Sequence, residues 1–202
     1  MKQKVKYILF PPLFQTVLFI IVKLFQHNIR NVNIYFDDKI PFISFFVIFY
    51  VIWYLLLILI PILLYFKDYS KLREYAYVYC ICGIISTIIF FIIPTTVTRA
   101  IVEDNNISNK VVRYIYTLDN PPLNCFPSLH ALESMLWIMY VGLNTKFSKK
   151  IRFIISFICI GIILSTLFIK QHSIVDIFGA FLVLTLGYNL SKIIINNRVK
   201  KY

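Results

Sequence analysis

Long apolar runs separated by short polar stretches dominate this chain. Six runs, roughly residues 7–25, 41–66, 76–98, 127–145, 151–169 and 174–195, are apolar on every side. A helix needs about 20 apolar residues to cross the hydrocarbon core of a bilayer. None of the runs alternates polar and apolar positions as a barrel strand would. Backbone groups in lipid must also be satisfied within their own segment. The pattern therefore predicts an all-α protein, a six-span transmembrane helical bundle. The second run is the longest and has length to tilt. Pro11, Pro12 and Pro61 are expected to kink or begin helical segments. The first run follows Lys2, Lys4 and Lys6 like a signal peptide. No small-residue cleavage site follows it, so it is read as a retained span.

Composition agrees with the pattern. The chain is 59% hydrophobic and 15% charged, whereas soluble domains are about half apolar and a quarter charged. No Ser/Gly-rich linker or internal repeat divides it, so residues 1–202 are read as one domain. The net charge of +12 raises the question of nucleic acid, but the basic residues lie between apolar runs and form no single patch. No nucleic-acid partner is expected. Instead the charge orients the chain. Lys2, Lys4, Lys6, Lys67, Lys71, Arg73, Lys146, Lys149, Lys150, Arg152, Lys192, Arg198, Lys200 and Lys201 fall on one side, 14 of the 21 basic residues. The positive-inside rule makes that side, with both termini, cytoplasmic, most simply at the cell membrane. Cys80, Cys82, Cys125 and Cys159 have no metal-ligand spacing and read as small packing side chains.

Three polar stretches change the picture: Pro94 to Arg99, Asn124 to His130, and Ser165 to Asp176. Topology places all three at the outer ends of spans three to six. Ionisable groups gathered at one depth point to function. His172 and Asp176 are four apart and share a helix face, so the carboxylate can fix one imidazole nitrogen and leave the other free as a nucleophile. The same spacing also suits a polar pair that closes a helix end. His130 follows Pro127 and Ser128, the signature of a helix start, where free N–H groups attract anions. There a histidine can give or take a proton near neutral pH. Arg99 can hold phosphate oxygens bidentately, or simply snorkel. His27 carries no role. Glu133 lies one turn below His130 and reads as a neutral hydrogen-bonded group or one that tunes His130.

Together these residues resemble the type 2 phosphatidic acid phosphatase superfamily, which has six spans and the motifs K-x6-R-P, P-S-G-H and S-R-x5-H-x3-D. The corresponding stretches here are Arg99-Ala100, Pro127-Ser128-Leu129-His130 and Ser165-Thr166-x5-His172-x3-Asp176. Ile92, Ala100, Leu129 and Thr166 stand where the family has Lys, Pro, Gly and Arg. The Asn124–His130 wording is most similar to the branch of inositol-phosphorylceramide synthases. The resemblance implies a lipid phosphatase. His172 would be its nucleophile, Asp176 would orient His172, and His130 would be the general acid and base. Arg99, Ser128 and Lys170 would hold the phosphate, with Lys170 standing in for the arginine absent at Thr166. It also implies a phosphorylated membrane lipid as substrate and no cofactor. No carboxylate cluster suited to Mg²⁺ is present. The alternatives are a phosphotransferase moving a head group to an alcohol, and, outside enzymes, a transporter or scaffold. The loop 100–126, with Glu103, Asp104 and Asp119, is expected to cover the site. The sequence leaves the oligomeric state open.

Overall fold

The computed structural model describes residues 2–199, with side chains placed for 5–195. Lys200 and Lys201 of the charge count, and the extreme ends of the expected domain, lie outside those residues. The structure is 73% helical, and among the described residues five helices are long and apolar enough to cross a membrane. They are α1 (Lys2–Lys23), α3 (Val47–Lys67), α4 (Tyr69–Ile92), α7 (Lys149–Phe168) and α8 (Ile174–Val199).

The fourth predicted span is shorter than expected. It is α6 (Leu129–Trp137), prolonged by a π turn over Ile138–Gly142, where Leu143 N–H donates to the Ile138 carbonyl at 2.9 Å. At 1.5 Å per residue these elements rise about 21 Å, against about 30 Å for a bilayer core. Their apolarity has another cause. Ala131, Leu132, Leu136, Trp137 and Val141 are all buried, packed between α7 and α8. A helix that is apolar all round is a core helix as readily as a lipid-facing one. The core continues through Leu56, Ile60 and Leu64 of α3, Leu72, Tyr75 and Cys82 of α4, and Ile155, Cys159 and Ile162 of α7.

Helix limits differ from the apolar runs for local reasons. α4 starts at Tyr69, seven residues before its run, because Asp68 caps it by accepting from Lys71 N–H. It ends at Ile92, because Ile93 precedes Pro94 and leaves the helical conformation, at φ -127° and ψ 76°. Pro11 and Pro12 lie inside α1 and Pro61 inside α3; they do not begin helices.

The two ends of the bundle are built differently. At one end Asp68 alone joins α3 to α4, and residues 143–148 join α6 to α7. At the other, residues 24–46 carry β1 (Arg30–Asn31), α2 (Tyr35–Lys39) and a 3-10 turn at Ser44–Phe46. Residues 93–128 carry β2 (Thr95–Thr96) and α5 (Ile107–Leu118), a strongly amphipathic helix within the predicted covering loop. β1 and β2 pair in parallel, Arg30 beside Thr95 and Asn31 beside Thr96. This pairing fixes the segment that ends in Arg99.

Candidate active site

His172 sits in the short turn between α7 and α8. α7 closes in a Schellman motif: Gln171 N–H donates to the Thr166 carbonyl at 2.9 Å and Lys170 N–H to that of Leu167 at 3.1 Å. This places Lys170 in the left-handed region, at φ 53°. α8 opens with a reciprocal cap. Ser173 Oγ accepts from Val175 N–H at 3.2 Å, and Asp176 Oδ2 accepts from Ser173 N–H at 2.9 Å. The same Oδ2 stands 3.1 Å from His172 Nδ1. Asp176, fully buried, thus closes the helix and orients the imidazole. Asp37 of α2 bolts the turn down, taking Ser173 Oγ at 2.7 Å and Ile174 N–H at 2.9 Å.

His130 approaches from α6. Ser128 caps that helix, its Oγ accepting from Ala131 N–H at 3.3 Å, and Ser128 N–H donates to the Asp176 carbonyl at 3.1 Å. The P-S-L-H segment is therefore tied directly to the start of α8. It is seated by Thr95 Oγ1, which accepts from Phe126 N–H at 2.8 Å. The Phe126 ring lies where a side chain on Gly179 would go. The His130 ring stacks on Tyr50 (4.5 Å between centroids) and Trp53 (4.2 Å) and lies 5.7 Å from His172. Its Nε2 is buried without a hydrogen-bond partner.

Both histidines line one cavity of about 280 Å³, with Tyr50, Trp53, Leu129, Asp119 and Gln171 among its walls. Arg99 stands one layer behind. Its guanidinium donates to Asp119 Oδ2 and Gln171 Oε1, each at 2.7 Å, and to the carbonyls of Tyr116 and Asp119 at 3.0 Å. It also stacks on the Tyr116 ring at 4.6 Å. Burial pushes the Tyr116 hydroxyl up to about 12, so that ring stays neutral beside the cation. Lys23, at the end of α1, holds the other Asp119 oxygen at 3.0 Å.

The structure thus brings His130, His172 and Asp176 together, with Arg99 and the Ser128 cap adjoining them. Lys170 stands apart. Its Nζ donates to the carbonyls of Asp37 and Ile40 at 2.6 Å. It does not continue the helix face of Thr166, because the left-handed residue has already ended α7. Five neighbours of the site escaped sequence reasoning: Lys23, Asp119 as its partner, Gln171, and the aromatic pair Tyr50 and Trp53. Gln171 was legible as the neighbour of His172. The rest depend on contacts between distant segments.

Fold and site define a class: an apolar helical bundle whose loop-rich end holds a His–Asp couple facing a second histidine. The chain belongs to the PAP2 superfamily, whose profile matches residues 23–190. This is the family resembled by the three motifs, and its members are phosphatases and phosphotransferases. No curated protein and no solved structure matches the chain.

Proposed function

We propose that this protein is a membrane lipid phosphatase working through a phosphohistidine intermediate. The observation that carries the reading is the pairing of His172 with Asp176 at 3.1 Å, opposite His130 in one cavity. With Nδ1–H directed to Asp176, His172 Nε2 keeps its lone pair. It attacks phosphorus as the bond to the lipid oxygen breaks, and His130 delivers a proton to that oxygen. Water then attacks the phosphohistidine, His130 takes the water's proton, and His172 is released with inorganic phosphate. An alcohol in place of water makes the same intermediate a phosphotransferase, the alternative suggested by the Asn124–His130 wording.

Charge on the phosphoryl oxygens is met by Arg99, by the first N–H groups of α6 at the Ser128 cap, and by Lys23. Lys23 supplies the second cation that the sequence lacks at Ile92 and Thr166. Asp119 holds both cations in the free protein, and the substrate phosphate takes its place. Lys170 serves the fold, anchoring the turn beneath His172.

The active-site end faces outward and the termini face the cytoplasm, with α6 and its flanking residues completing a sixth crossing. The test is phosphate release from a short-chain phosphatidate in micelles by purified wild-type and His172→Ala protein. Wild-type release abolished in the variant supports the reading; equal rates overturn it.

A further inference from the structure

Below the histidines the cavity reaches polar groups that the phosphoryl chemistry does not use. Gln15 of α1 lines it, is 5% exposed, and has neither amide atom hydrogen-bonded. Glu133 of α6 lines it too, at 2% exposed. Its Oε1 accepts from the Tyr79 hydroxyl at 2.6 Å, while Oε2 is approached by Trp53 but makes no hydrogen bond of normal geometry. Gln15 packs on Gly83, where any added Cβ would strike its amide oxygen. Gly83 is one turn along α4 from Tyr79, so the amide lies on the same face of α4 as the phenol and the carboxyl it holds. Buried polar atoms in apolar surroundings are destabilising unless they find partners. Three such atoms converging on one cavity ask for a ligand group that both donates and accepts. Their depth is set by α6: Glu133 is three residues past His130, about 4.5 Å further along the axis. That is the reach from a phosphorus to a substituent on the second carbon of its esterified alcohol.

We propose that Gln15, Glu133 and Tyr79 form a subsite for a hydroxyl carried next to the phosphoester carbon. The substrate is then a hydroxylated phosphomonoester lipid of the monoacylglycerol phosphate kind. An unsubstituted isoprenoid phosphate would leave all three atoms unpaired. The proposal rests on the phosphatase reading of the cavity. Gln15 precedes the family match, which begins at Lys23, whereas Tyr79 and Glu133 lie within it.

The experiment compares kcat/KM of the purified full chain for a monoacylglycerol phosphate and for its 2-deoxy counterpart, in wild type, Gln15→Leu and Gln15→Met. Wild type should favour the hydroxylated lipid about tenfold, the value of one buried hydrogen bond. That ratio should fall toward one in either Gln15 variant. The methionine is read in place of the leucine if the latter does not fold, since it keeps the side-chain length. A wild-type ratio near one, or a ratio that survives both substitutions, overturns the subsite and leaves the phosphatase reading standing. Wild-type protein that cleaves neither lipid overturns both.

Discussion

The two ends of the bundle handle most of their buried polar groups in opposite ways, the unpartnered Tyr140 hydroxyl at the short-turn end aside. At the short-turn end Asp68 is satisfied on both oxygens: Lys146 Nζ at 2.9 Å and Lys71 N–H reach Oδ1, and Asn144 Nδ2 reaches Oδ2 at 3.1 Å. Arg152 Nε donates to the Gly142 carbonyl at 2.9 Å. At the loop-rich end, Arg99 Nε, His130 Nε2, Gln171 Nε2 and Asp176 Oδ1 are buried and unpartnered. A closed network holds helices together, while an open one keeps donors and acceptors ready for a substrate. On the proposed function, the contrast separates groups kept for the fold from groups kept for chemistry.

An all-or-none result tests this contrast across the membrane. Single cysteines at Asn105, on the loop-rich end, and at Thr145, on the other, are both exposed. An impermeant thiol reagent applied to intact cells should label the first and not the second. Labelling at Thr145 alone would invert the orientation and turn the site inward.

Next in size is the effect on catalysis. His172→Ala should lower kcat by about a thousandfold or more, since it removes the proposed nucleophile. Asp176→Asn should lower it about a hundredfold while keeping an oxygen for the Ser173 N–H, so thermal stability should change little. Rapid quench with labelled lipid and detection of acid-labile phosphoprotein reads both. Label retained in His172→Ala would move the nucleophile to His130.

A smaller effect is expected at the cations. Arg99→Ala should cost about a hundredfold in kcat/KM and Lys23→Ala about tenfold. Asp119→Asn should lower KM several-fold, because it frees both cations for phosphate. A rise in KM would show instead that Asp119 positions the cations and does not compete with the substrate.

How far these assignments were legible depends on range. The His172–Asp176 pair follows from one helical turn, and the Ser128 cap from its place before His130. Helices were visible as apolar runs because lipid and core both demand apolar residues. For the same reason the burial of α6 is invisible in its apolar run. Lys170 is itself the left-handed residue beyond the end of α7, so the helix face of Thr166 stops short of it, and nothing in a lysine signals that conformation. Lys23 and Asp119 are 96 residues apart, and no local pattern announces such a contact. α5 was hidden because its apolar stripe is too narrow to register as a run, although its period is helical.

The smallest expected effect lies at the closed end and should leave chemistry untouched. Burial alone would raise the Asp68 carboxyl, but hydrogen bonds from Lys146, Asn144 and Lys71 outweigh it and hold the group below the ordinary carboxylate range. A folded-state value below the unfolded one, about 3.9, means the native protein keeps this charge to lower pH than the unfolded chain does. The resulting stabilisation is fully present above that unfolded value and is lost as pH falls through the lowered folded one. Asp68→Asn removes it while keeping a cap for α4. Thermal melts in detergent should therefore show wild type above the variant by a few degrees at pH 7, with the gap closing below about pH 4. Phosphate release at pH 7 should be equal in the two proteins. A variant that melts with wild type at pH 7 would show that the clamp contributes nothing net, as many exposed ion pairs do. A variant that melts normally but loses activity would couple the two ends and break the separation between fold and chemistry.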